Sequence, residues 1–275
     1  MKFSVLMSVY KNENPEFFKA ALDSTVNQSC MPDEIVLVRD GEVPKELQGV
    51  IDEYISRYPK MLTYIPLAEN KGLGNALMIG LEKSRNEIVA RMDSDDICSV
   101  DRFKKQLEFL ENNPDVDIVG GNISEFFGSP DKIIQYRTVF QSHDEIANDL
   151  KNRSPFNHQT VMFKKEAVMK AGNYQDFYLF EDWYLWVRMY LAGCRFANIN
   201  DVLCNVRIVS MSARRGGMKY YKSCKRLLKF MKQNGMLGFF KYTKIKTVRF
   251  IGYVLLPNKL RAFMYKKLLR KTIQE

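Results

Sequence analysis

The chain has 275 residues, 46% hydrophobic and 27% charged, enough to bury a sizeable core and unlike a disordered segment. Two histidines exclude a multi-histidine metal site; five scattered cysteines without a C-x-x-C pair exclude a zinc site or disulfide framework and point to reduced thiols in a cytosolic protein. Of the 42 Lys+Arg, 19 lie from Arg207 onward beside one acid, Glu275, so a strongly basic tail follows an acidic body.

Residues 3–9 read as a first strand; the run is too short for a signal peptide and lacks a small-residue cleavage site. A helix follows over 15–27, with Phe17, Phe18, Ala21 and Leu22 on one face. A strand over 34–38 ends at Arg39-Asp40-Gly41, a helix spans 44–57, and a third strand spans 62–66. Asn70-Lys71-Gly72-Leu73-Gly74 opens a helix to Lys83, and 88–92 form the next strand. This alternation predicts right-handed crossovers and a largely parallel, Rossmann-like sheet, with ligands beyond the carboxyl ends of its strands. Tyr10, Asn12, Asp40 and Asp93 to Asp96 all stand there.

Beyond Asp96 the pattern predicts a helix over 99–112 closed by Pro114, a strand over 116–119, and strands within 123–140 about a Gly-Ser-Pro turn. Helices follow over 166–171, before Gly172, and over 183–191; from about Lys219 the chain reads as helical, basic and aromatic. No run of about 20 apolar residues exists, so no membrane-spanning helix is predicted.

The most informative stretch is Asn86-Glu-Ile-Val-Ala-Arg-Met-Asp-Ser-Asp-Asp96, a buried apolar run ending in three carboxylates. Crowded like charges call for a cation, and Asp93 and Asp95, one residue apart, share a face of an extended backbone. Such a pair suits a hard divalent cation that keeps positions for water and phosphates. The plainer alternative makes Asp96 a helix cap and the others solvated acids. Asp40-Gly41 reads equally as a turn, residues 70–74 resemble a phosphate-cradling loop without dinucleotide spacing, and Glu181-Asp182 is also a dipole-favoured helix start.

Taken in order, Ser8-Val9-Tyr10-Lys11-Asn12, Asp40-Gly41, Asn70-Lys71-Gly72, Arg91-Met92-Asp93-Ser94-Asp95-Asp96 and Glu181-Asp182-Trp183 resemble a family-2 glycosyltransferase over roughly residues 3–210. The resemblance implies an α/β GT-A fold and an inverting, UDP-sugar-dependent reaction. More narrowly, the chain is similar to bacterial enzymes that build exopolysaccharide, capsule and O-antigen repeat units. It implies that Ser8, Val9, Tyr10 and Asn12 line the uracil loop, that Asp40 bonds the uridine, and that Asn70, Lys71 and Gly72 lie along the donor. It also implies that Asp93 and Ser94 stand near ribose and metal, that Asp95 with Asp93 ligates Mn²⁺ or Mg²⁺, and that Asp182, beside donor-contacting Glu181, is the base. His158 is expected at the donor sugar, and Arg207 and Arg214 in a loop closing on the diphosphate. Where many members carry an arginine after the Asn-x-Gly turn, this chain has Leu77, and Arg91 is expected to compensate.

The division expected is a catalytic domain over 1–210, with a nucleotide half (1–98) and an acceptor half (99–210), and a basic helical tail over 211–275. A lipid-linked oligosaccharide acceptor would place the enzyme in the cytoplasm, peripheral on the inner face of the membrane. The tail's lysines and aromatics fit nucleic acid and an anionic membrane equally, and it is the resemblance to enzymes with lipid-linked acceptors that favours the membrane. Packing on the acidic body, or on a second copy in a homodimer, is the third use for it. A nucleotidyltransferase and a non-catalytic nucleotide-sugar-binding membrane scaffold are the competing readings. A glycoside hydrolase also uses paired carboxylates, but has no need of the metal triplet.

Overall fold

The computed structural model describes residues 1–208, 216–257 and 271–272. Strands β1 (Phe3–Tyr10), β2 (Glu34–Asp40), β3 (Leu62–Pro66) and β4 (Ile88–Met92) form a parallel block in the order β3-β2-β1-β4. Helices α1 (Pro15–Val26), α2 (Lys45–Arg57) and α3 (Leu73–Lys83) make the crossovers. Beyond β4 lie β8 (Met162–Lys164), β6 (Ile118–Phe126), β7 (Ile133–Arg137) and β10 (Lys271–Thr272), all antiparallel to their neighbours in that path. The result is a GT-A-like mixed sheet flanked by helices.

Both faces of the parallel block are covered, which is why its strands read as continuous apolar runs. Phe3, Val5, Met7 and Val9 of β1 pack with α1, α2 and α4 (Arg102–Asn112), whereas Leu6 packs on the opposite side. That second side holds α3, α5 (His143–Leu150), α6 (Lys165–Lys170) and α7 (Glu181–Leu191) around Trp186, Phe156 and Phe163.

Besides the short strands β8, β10 and one at 97–98, three longer elements depart from the sequence expectation. The predicted break between 119 and 123 is absent: β6 runs unbroken through Gly120-Gly121-Asn122. These glycines are set by close approach, because a Cβ on Gly120 would lie 2.5 Å from Asn198 Oδ1 and one on Gly121 2.6 Å from Leu203 Cδ1. Helix α5 was not predicted, although Ser142, whose N–H donates to the Glu145 carboxylate, carries the Ser-x-x-Glu capping signature. Nor was β9 (Phe196–Arg207), which pairs parallel with β6 and antiparallel with the short β5 (Ile97–Cys98). Its asparagines hide the strand period, yet they pair across the sheet: Asn122 Nδ2 donates to Asn200 Oδ1 at 3.0 Å and Ser124 Oγ to Asn205 Oδ1 at 2.5 Å.

The basic helix α8 (Gly217–Gln233) does not stand apart from the body. Tyr220, Cys224, Leu227, Leu228 and Met231 form a stripe at helical spacing that enters the same core, with Tyr220 4.7 Å from the Phe180 ring. Helix α9 (Phe239–Phe250) packs on α8 through Phe250 and Tyr221 at 5.1 Å. Its outward face presents Phe240, Val248 and Ile251, with Leu255 in the turn beyond, all exposed. Among the described residues no helix is long and apolar enough to cross a membrane.

Candidate active site

The carboxyl ends of the parallel strands form the site. Tyr10 and Asp40 are register partners at the ends of β1 and β2. The Asp40 carboxylate, almost wholly buried, accepts the backbone N–H of Lys71 at 2.7 Å and of Gly72 at 3.0 Å, while Asn70 Nδ2 donates to the Asp40 carbonyl at 3.1 Å. Gly41 makes the approach feasible: its φ is +85°, and a Cβ there would stand 2.7 Å from Asn70 N. A pocket of about 490 Å³ opens beside this knot, lined by Lys11, Asp40, Glu42, Val43, Pro44 and Asn70. The Ser8–Asn12, Asp40-Gly41 and Asn70–Gly72 motifs, separate in sequence, thus meet at one mouth.

At the end of β4 the carboxylates of Asp93, Asp95 and Asp96 offer oxygens within 4.8 Å of one another. The geometry behind this differs from the extended pair expected. The strand stops at Met92, and residues 93–96 bend, so a turn rather than strand alternation brings the carboxylates together. Asp96 is buried and accepts the backbone N–H of Arg207 at 2.9 Å. Burial raises the Asp95 carboxyl to about 7, with Asp93 and Glu13 adding to it. Burial likewise raises Asp96 well above the usual carboxylate range, aided by Asp93 and Asp95. A cluster that resists ionisation in this way is relieved by a divalent cation, so the donor set fits a hard metal.

Arg91 runs from β4 beneath this cluster, 2% exposed, and its guanidinium pairs with Asp93. Its Nε and Nη1 are buried without a hydrogen-bond partner. Leu77, which follows the Asn-x-Gly turn, is fully buried in the core. Arg91 also brings the two halves of the site together electrically, since it acts on Asp93 and Asp96 on one side and Tyr174, His158 and Glu181 on the other.

Glu181 and Asp182 open α7, where the helix N-terminus favours negative charge. Asp182 Oδ2 accepts the Ser154 hydroxyl at 2.9 Å. Burial raises Glu181 to about 7, and the Asp182 charge adds to it. His158 Nε2 lies 3.0 Å from the Tyr174 hydroxyl, and burial followed by Arg91 holds the imidazole neutral. Arg207 stands where β9 ends, but its guanidinium is engaged: Nε donates to the Asp95 carbonyl at 3.2 Å, Nη1 to Gly128 O at 3.2 Å, and the group lies 3.9 Å over the Phe17 ring. Arg214 lies outside the described residues.

Three site residues were missed by sequence reasoning. Glu13 accepts the Ser94 hydroxyl at 2.5 Å and adds charge to the cluster; its signal was its place in the loop directly after β1. Ser154 and Tyr174 lie in irregular segments with no motif of their own.

Residues 4–172 match the family model "Glycosyl transferase family 2". The chain is 42% identical over 272 residues to an uncharacterized glycosyltransferase of Haemophilus influenzae, covering 98% of this chain and 100% of that one. It is 39% identical over 275 residues to the UDP-Gal:alpha-D-GlcNAc-diphosphoundecaprenol beta-1,3-galactosyltransferase of Escherichia coli, covering 98% and 97%. Its fold superposes on S. aureus TarS 1–349 in complex with UDP-GlcNAc with a TM-score of 0.67 at 19% identity, covering 98% of this chain and 76% of that one.

Proposed function

The chain belongs to glycosyltransferase family 2, and on that premise we propose that it transfers a sugar from a UDP-sugar to a lipid-linked saccharide, with inversion, in cell-surface polysaccharide biosynthesis. The observation that carries this reading is the acidic turn Asp93–Asp96 at the end of β4, in the same parallel block as the Tyr10–Asp40 pair, with Arg91 acting both on Asp93 and on Glu181. The E. coli relative, named for a UDP-sugar donor and a diphosphoundecaprenol-linked acceptor, supports the substrate classes.

Each residue then has a task. The pocket beside Asp40 takes the uracil, with Lys11 of the Ser8–Asn12 segment and Asn70 of the Asn70–Gly72 segment in its lining; Val9 is turned into the core, so its side chain does not reach the base. Asp93 and Asp95 would hold a Mn²⁺ or Mg²⁺ ion, which when bound supplies Lewis-acid stabilisation of the leaving diphosphate. Ser94, Arg91, Glu181 and His158 border the donor, Arg207 shapes the acidic turn at its diphosphate end, and Arg214, outside the described residues, is assigned to the diphosphate by its sequence alone. Asp182, oriented by Ser154, removes the proton from the acceptor hydroxyl as that oxygen attacks C1, because an alcohol this weakly acidic needs a positioned carboxylate. One base on the face opposite the leaving group gives a single displacement, hence inversion.

A lipid-linked acceptor keeps its diphosphate at a membrane surface, so the enzyme works peripherally on the cytoplasmic face. Residues 1–98 are the nucleotide-binding half and 99–210 the acceptor-binding half, and the basic tail meets the anionic surface through α9. Its outward patch of Phe240, Val248, Ile251 and Leu255 beside Lys241 and Lys244 suits an interfacial helix. Calorimetry of UDP with and without Mn²⁺, then of a UDP-sugar panel, tests the donor half. Metal-dependent UDP binding supports it; no uridine nucleotide binding with metal present overturns it.

A further inference from the structure

We propose that Cys98 and Cys204 are a redox-modification site, a dithiol that peroxide converts to a reversible cross-strand disulfide. This stands apart from sugar transfer and does not rest on it. The two cysteines face each other in register across the antiparallel β5–β9 pair. Ser99 N–H donates to Leu203 O at 3.0 Å, which makes 99/203 the hydrogen-bonded pair and 98/204 the non-hydrogen-bonded one beside it. Residues so placed have Cα atoms about 4.5 Å apart and the closer side chains. That separation falls within the roughly 4.4–6.8 Å that a disulfide spans without backbone movement.

The side chains meet as the backbone predicts. Both thiols converge on Met92, whose Sδ lies 3.3 Å from Cys98 Sγ and 3.7 Å from Cys204 Sγ. Arg102 Nη1 stands 3.2 Å from Cys98 Sγ, so Cys98 is the sulfur with a cation to support a thiolate, and Cys204 is the resolving thiol. Cys194 and Cys224 belong to the core on the other side of the sheet and have no part in this arrangement.

The chemistry balances with a peroxide as oxidant. The Cys98 thiolate attacks one peroxide oxygen; the S–O bond forms, the O–O bond breaks, and the departing hydroxide takes a proton to leave as water. Cys204 sulfur then attacks the sulfenic sulfur of Cys98; the S–S bond forms, the S–O bond breaks, and a second water leaves with the Cys204 proton. Both cysteines are buried, Cys98 at 6% exposure, which favours a small oxidant and an intramolecular partner over mixed disulfides. The new bond would cross-link β5 and β9, the same two segments that the Arg207–Asp96 hydrogen bond already joins.

The test uses the reduced full-length chain treated with hydrogen peroxide, followed by thiol counting and peptide mass spectrometry. The expected result is loss of two of the five thiols, one peptide linking Cys98 to Cys204, recovery with dithiothreitol, and a raised Tm in the oxidised form. Cys30→Ser should oxidise as the wild type does. Cys204→Ala should trap a dimedone adduct on Cys98 and give no linked peptide. Five thiols still free, Cys98 driven to sulfinic acid beside free Cys204, or Met92 sulfoxide with both thiols intact would each overturn the proposal. The wild-type measurement decides this even where a variant folds poorly.

Discussion

The Arg207 backbone N–H donates to the Asp96 carboxylate across 111 residues of sequence, while its guanidinium holds the Asp95 carbonyl. One residue at the end of β9 therefore sets the shape of the turn that carries the acidic cluster. Arg207→Met keeps the backbone bond but loses the guanidinium bonds and the stacking on Phe17. Hydrogen bonds from a charged group contribute about 1.5–3 kcal/mol each in favourable settings, discounted here because the side chain is half-exposed. The expected outcome is a Tm lower by a few degrees and weaker UDP binding, read by calorimetry. Unchanged UDP affinity would show that the turn keeps its shape without the guanidinium.

Asp182→Asn should leave UDP-sugar affinity within about twofold and lower kcat by roughly 10²–10⁴, the usual share of a general base. Ser154→Ala removes only the hydroxyl that orients Asp182 Oδ2, so a loss nearer tenfold in kcat is expected, with the KM for donor unchanged. Steady-state kinetics on a lipid-linked acceptor separate the two, and full activity in Asp182→Asn would end its assignment as base.

The metal assignment makes a pH-dependent prediction. With its carboxyl raised to about 7, Asp95 is largely protonated below neutrality, and a proton and a cation compete for it. Mn²⁺ affinity should therefore rise from about pH 6 to about pH 8, with protons released on binding. Asp95→Ala should abolish the metal dependence of UDP binding. Metal-dependent binding that survives this substitution would move the ion elsewhere.

The parallel block was legible because both of its faces are buried, which leaves uninterrupted runs such as Ile88-Val89-Ala90 between helices of plain period. The motif residues were legible for a related reason, since they follow those strands. What sequence could not supply was long-range pairing. β9 carries Asn198, Asn200 and Asn205, which look like loop residues until their partners on β6 are known. The bend at 93–96 was hidden likewise: its shape depends on Arg207, and no local signal announces a hydrogen bond from that distance. In the basic tail, composition alone left α8 open between membrane and protein; its core-facing stripe decides for protein.

Glu181 gives a stability prediction. Its carboxyl is raised from 4.5 to about 7, first by burial and then by Asp182. A raised acid holds its proton in the native state where the unfolded chain has lost it, so its contribution is complete below about 4.5 and is lost as pH climbs through about 7. The metal-free protein should be more stable near pH 5 than near pH 8, and Glu181→Gln should reduce that difference. Thermal melts of both proteins across this range, in chelator, provide the check. An equal slope for the two would remove Glu181 as a source of it.

The last prediction concerns α9, where two arguments about the tail separate. Its inner face is satisfied by α8, but Phe240 is 86% exposed, Leu255 61% and Val248 59%, on a surface where residues 216–257 hold ten Lys+Arg and no acid. Apolar side chains left in water beside lysines are unfavourable in an isolated monomer and favourable at an anionic lipid interface, where each buried group and each charge adds to the same attachment. Phe240→Ser with Leu255→Ser should weaken binding to phosphatidylglycerol vesicles at least tenfold while leaving UDP binding intact, because neither side chain approaches the strand ends. Lys241→Gln with Lys244→Gln should weaken it less and reduce its salt dependence. Co-sedimentation at two salt concentrations distinguishes these effects. If the serine variant sediments like the wild type, the apolar face of α9 is not the attachment surface.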